Sequence, residues 1–99
     1  MIQPTSGATG SDGIQSLIGH EVVLDTAGPV LFLGRLVSVS PEGFWLDDAD
    51  VHHSDDGHAT REEYISESVR YGIRVNRQRV FVFRSSVISM SALRDIVQA

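Results

Sequence analysis

The sequence predicts a mainly β domain: a small, strongly bent and partly open barrel of five strands. Three observations lead there. Five runs of strand-favouring side chains are separated by Gly, Pro and Ser; two of those runs change the parity of their apolar residues midway; and 99 residues suffice for one small core.

Residues 1–11 carry no positive charge and no apolar run, so they are expected to form a flexible tail, neither signal peptide nor membrane anchor. Residues 12–99 read as a single domain. In "SDGIQSLIG", Ser11 or Asp12 is placed to cap a short helix over Ile14, Leu17 and Ile18, which Gly19 ends. The strand "HEVVLDT" and the turn residues "AGP" follow, and then "VLFLGRLVSVS", an eleven-residue run. There Val30, Phe32, Gly34 and Leu36 share one face, after which the apolar set moves to Val37 and Val39. A shift of that kind marks a bulge or strong coil, and Gly34 reads as the bend. "SPEG" makes a tight turn into a third strand, "FWLDDADV", whose parity changes between Leu46 and Ala49.

The stretch "DDADVHHSDDGH" brings five carboxylates and three imidazoles into twelve residues. In "ATREEYISESVRYG", Thr60 and Glu63 have capping-box spacing and Gly72 stands where a C-terminal cap belongs, which predicts a helix over Arg61 to Tyr71 with Tyr64, Ile65 and Val69 facing protein. Residues 51–78 thus form a loop-and-helix insertion before the fourth strand. "RVFVFR", the turn "SS" and "VISMS" complete the count, and "ALRDIVQ" adds a helical turn or lies along a neighbour. In "RVFVFR" both faces are apolar, Val80 and Val82 on one and Phe81 and Phe83 on the other. A strand with no face to give to solvent calls for a partner beyond its own sheet.

The net charge of −5 opposes holding nucleic acid by bulk attraction, yet the charge is uneven. Residues 47–58 carry five acids and no Lys or Arg, whereas residues 61–84 carry six arginines against three glutamates. Arg70, Arg74, Arg77 and Arg79, with Tyr71, offer either a nucleic-acid surface or partners for the acidic loop. The absence of cysteine excludes disulfides and thiolate zinc sites and suits a reducing compartment, so a cytoplasmic location is expected. No nucleophile elbow, phosphate-binding glycine loop or H-E-x-x-H motif occurs, so no enzymatic activity and no cofactor are expected. His52, His53, Asp55, Asp56 and His58 are possible metal ligands, but their spacing does not demand an ion, and the loop reads as solvated.

Two stretches resemble the Sm and Sm-like family. "FLGRLVSVSPEGFWLDDA" places Gly34, Leu36, Val39, Leu46, Asp48 and Ala49 as the first family motif does, and "VFVFRSSVISMS" places Arg84 and Ser85 at the second. The resemblance implies a five-stranded Sm-like barrel with an N-terminal helix, whose fourth strand pairs with the fifth of the next subunit to close rings of about five to seven copies. The interface would then use Val80, Phe81, Val82, Phe83, Val87, Ile88 and Met90. Relatives bind single-stranded, often uridine-rich RNA, through an aspartate, an asparagine and a stacking side chain near one turn and an arginine and glycine near another. Ser40, Gly43, Phe44, Arg84 and Ser85 occupy those places here. The turn is a residue shorter, Ser40 replaces the aspartate, Gly43 the asparagine and Ser85 the glycine, which implies a degenerate uridine pocket. An oligomeric scaffold that binds no RNA, and a metal-binding protein using the His/Asp loop, are the alternatives.

Overall fold

The computed structural model describes residues 13–55, 57 and 59–98. The expected tail and the proposed caps Ser11 and Asp12 lie outside them. Five antiparallel strands form one sheet in the order β4-β3-β2-β1-β5, with β1 at Glu21–Thr26, β2 at Val30–Ser40, β3 at Gly43–His53, β4 at Arg77–Phe83 and β5 at Val87–Ala92. β4 and β5 stand at opposite ends of that order and do not pair with each other, so the sheet is not closed. β2 has the eleven residues of its predicted run, whereas β3, also of eleven, runs on past the expected Val51 to His53.

The bends lie where parity changes. Between Leu33↔Asp50 and Arg35↔Asp47, one residue of β2, Gly34, faces two of β3, Asp48 and Ala49. Asp48 takes the left-handed conformation, φ 49°, which Asp tolerates better than most residues. Gly34 is required here because a Cβ would stand 3.1 Å from the Ala49 Cβ and 3.2 Å from its Cα. A second irregularity between Leu36 and Ser38 leaves Val37 as the extra residue, now on β2. Each strand therefore carries one extra residue, and the register lost at the first bulge is recovered at the second.

Apolar side chains fill both faces of the sheet. Val22, Leu24, Leu36, Phe44, Leu46, Ala49 and Val82 form the inner core, with Ile14, Leu17, Phe32 and Met90 packed around it. The N-terminal element is a single 3₁₀ turn, Ile14–Leu17, without a side-chain cap, and Ile18 is exposed. On the outer face Val23, Leu31 and Leu33 pack under Tyr64 and Ile65 of α1 (Arg61–Tyr71) and against Leu93. Leu93–Asp95 is the expected turn in the C-terminal stretch.

α1 has the bounds and the cap that its residues predict. Thr60 Oγ1 accepts from the Glu63 amide at 3.1 Å, and Glu63 accepts in return from the Thr60 amide at 2.8 Å. Those bonds hold the Glu63 carboxyl below the usual range. Arg61 ties the start of the helix to the β1–β2 hairpin through Asp25 (2.9 Å) and the Gly28 carbonyl (2.9 Å). The segment between β3 and β4 spans 54–76, not 51–78, because Val51, His52 and His53 still pair with β2 and Arg77 already pairs with β3.

Candidate nucleic-acid interface

Four of the five residues at the family's RNA positions meet at one end of the sheet, where the β2–β3 turn lies against the end of β4. Arg84 begins a 3₁₀ turn, Arg84–Ser86, rather than ending the strand. Its amide donates to the Glu42 carbonyl at 2.9 Å, and its guanidinium donates to the carbonyls of Pro41 (3.2 Å) and Ser40 (3.0 Å). The same group lies over the Phe44 ring, 5.1 Å from its centroid. Arg84 is thus an exposed cation, without an acidic partner among the described residues, held in one orientation by a turn it does not belong to. Ser85 is exposed beside it.

Phe44 and Gly43 do not have the roles their positions imply. Phe44 is 4% exposed and belongs to the inner core, so its ring supports Arg84 from below and offers no open face to a base. At Gly43 a Cβ would overlap the Val82 carbonyl and stand 2.9 Å from the Phe81 ring, so the close approach of β4 excludes any side chain there. The Ser40 hydroxyl is half-buried and reaches toward the Gly43 carbonyl at 3.4 Å.

The proposed interface residues divide in the same way. Val82 is 2% exposed within its own core and is not available to a partner. Val80, Phe81, Val87 and Met90 are half-buried, and Phe83 and Ile88 are exposed. Trp45, Phe81 and Phe83 form a row on the outer face, edge to face, with centroids 5.0 and 5.2 Å apart.

The histidine and aspartate stretch is not one loop. Asp47 to His53 are strand, so the adjacent His52 and His53 point to opposite sides of β3 and cannot converge on one ion. Among the described residues no three His, Asp or Glu side chains stand close enough to hold a metal; Asp56 and His58 lie outside them. Instead the cluster pairs with the arginines. Arg79 forks onto Asp47 at 2.6 and 3.2 Å, holding that carboxyl below its usual value, and Arg35 reaches Asp48 at 3.0 Å. Of the remaining basic run, Arg74 pairs with Glu67 (3.1 Å), Arg70 bonds Gln98 (3.1 Å) and Arg77 bonds the Asn76 carbonyl (3.0 Å).

A buried polar network escaped the sequence reading. Asp50, 2% exposed on the outer face of β3, accepts from the Tyr64 hydroxyl and from Asn76 Nδ2 (3.0 Å). His52 stacks on the Tyr64 ring, with centroids 3.6 Å apart, and Arg74 lies over the same ring. Burial, then the Asp50 carboxylate, push the Tyr64 hydroxyl up to about 12. Sequence offers one signal for this site, an aspartate among the apolar residues of a strand buried on both faces.

With this geometry described, the chain can be set beside known proteins. It superposes on the Sm protein of Pyrococcus abyssii, solved in complex with a uridine heptamer, with a TM-score of 0.56 over 80% of this chain and 90% of that one, at 16% identity. The fold is Sm-like. At that identity the likeness is one of fold. No family model and no curated protein matches the sequence. Within the Sm-like fold the sheet has two open edges, β4 and β5, and Arg84 stands at the end of the first.

Proposed function

We propose that this protein is a ring-forming, RNA-associated, non-enzymatic protein whose uridine pocket is degenerate. Arg84 carries the reading: it is an exposed guanidinium fixed by the Ser40 and Pro41 carbonyls, one face against Phe44, in a fold shared with an Sm protein solved with uridine RNA. A pre-oriented guanidinium can stack on a base or pair with a phosphate whatever the sequence. Base selection is another matter. The asparagine position is Gly43, where no side chain fits, and the aspartate position is Ser40, whose hydroxyl is turned inward. Single-stranded RNA is therefore bound with little preference among bases.

The test is fluorescence anisotropy with labelled oligo-U and oligo-A at low salt. Both oligomers should bind with similar affinity, and Arg84→Ala should weaken both by about tenfold, the scale of one lost stacking contact. Strong preference for oligo-U would restore the pocket. Absence of binding to either would favour a second reading, an oligomeric scaffold without RNA, which the net charge of −5 and the filled Gly43 position support.

A further inference from the structure

A cavity of about 340 Å³ opens where three parts of the chain converge: the entry to β1 (His20, Glu21), the last turn of α1 (Ser68, Val69, Gly72) and the C-terminal turn (Leu93, Arg94). That volume lies within the range of small-molecule sites, about 300–1,000 Å³. Along β1, Val22 faces the inner core and Val23 the outer one, so Glu21 shares the α1 side of the sheet with Val23. Glu21 and Arg94 are both exposed, and among the described residues neither has an ionic partner. Opposite charges therefore line one small space without pairing with each other.

The two charges have different companions. Arg94 Nη1 stands 3.1 Å from His20 Nδ1. A guanidinium can only donate, so Nδ1 accepts in this contact and the ring proton sits on Nε2. Guanidinium and imidazole N–H are then two kinds of donor in one cavity, a set that suits a carboxylate. Glu21 is joined by the end of α1. Among the described residues no backbone amide after Gly72 returns to the last carbonyls of the helix, so the negative end of its dipole lies at the same cavity. Those groups suit an ammonium. Val69 and the buried Leu93 add an apolar surface. We propose that this cavity binds a free α-amino acid with an apolar side chain: its carboxylate on Arg94 and His20, its ammonium on Glu21 and the end of α1, its side chain on Val69 and Leu93. A simple anion or cation would leave one of the two charges unmatched. The site shares no residue with the Arg84 end of the sheet and does not depend on RNA binding.

The test is isothermal titration calorimetry of the full chain with L-leucine, with 4-methylpentanoate, which lacks the amine, and with leucinamide, which lacks the carboxylate. Leucine should bind saturably at one site per chain. Each analogue should bind at least about tenfold more weakly, the scale of one lost charge-assisted hydrogen bond. Arg94→Gln should weaken leucine by a similar factor and leave leucinamide unchanged, while Glu21→Gln should weaken leucine and leave 4-methylpentanoate unchanged. Both side chains are exposed, so melting of the folded chain should be retained. The proposal is overturned if leucine at millimolar concentration gives neither heat nor a rise in melting temperature. It is overturned equally if the analogues match leucine, or if both variants bind leucine as wild type does. Should a variant fail to fold, the analogue series on the wild type decides alone. Leucine binding by a chain that binds no oligonucleotide would remove the RNA reading and leave this one standing.

Discussion

The outer face of the sheet has two halves that the chain treats differently. Over β1 and β2, Val23, Leu31 and Leu33 lie under α1, with Asp50 fastened to Tyr64 and Asn76 at the border. Over β3 and β4, Trp45, Phe81 and Phe83 stand in a row with no helix or strand above them among the described residues, bordered by the Arg79, Asp47 and Arg35 charges. The roofed half holds the fold together. The bare half adjoins the open edge of β4. The difference teaches what α1 does: it converts half of a two-sided apolar sheet into a second core and stops short of the other half.

The largest test of that contrast is Leu33→Ala. This side chain is fully buried under α1, and its loss should lower unfolding free energy by about 2–5 kcal/mol in chemical denaturation. A cost near zero would mean that the roof does not carry the fold.

Next in size is Tyr64→Phe, which removes a donor from a buried carboxylate and should cost about 1–3 kcal/mol. It should also change the alkaline limb. The folded Tyr64 hydroxyl titrates at about 12, above its unfolded value, so its contribution is complete below the unfolded value of about 10 and is lost as pH rises through the folded one. Wild-type stability should therefore fall across that window, and the fall should be shallower in the variant. Thr60→Ala is the smallest, about 1 kcal/mol, and removes one bond of the reciprocal cap; melting by circular dichroism reads it.

Legibility in the sequence followed distance along the chain. β2 and α1 have the predicted bounds because their ends are written in adjacent residues: Gly28 and Pro29, Pro41 and Gly43, Thr60 with Glu63, and Gly72. The bulges were visible as parity changes after Leu36 and before Ala49, since a two-residue period makes one extra residue conspicuous. The roof was not visible. The sequence reading followed one face of β2, although Leu31 and Leu33 on the other are equally apolar, and nothing local says which element will cover them. The Asp50 network joins residues 14 and 26 positions apart, beyond any local pattern. At the candidate interface the sequence named the residues that meet, Ser40, Gly43, Phe44 and Arg84. It could not separate an open ring from a buried one, because Phe44 owes its burial to strands distant in sequence.

Asn76 extends the work of β4 beyond the end of that strand. β3 runs on to His53 while β4 begins only at Arg77, which would leave the end of β3 bare along one side. There the Asn76 carboxamide accepts from the Val51 amide at 2.9 Å and donates to the Val51 carbonyl at 3.1 Å, standing in for a missing peptide group. A single side chain thus acts as a terminator. It carries the hydrogen-bond ladder of β3 past the point where β4 has ended, so the peptide group of Val51 is satisfied without a strand beside it.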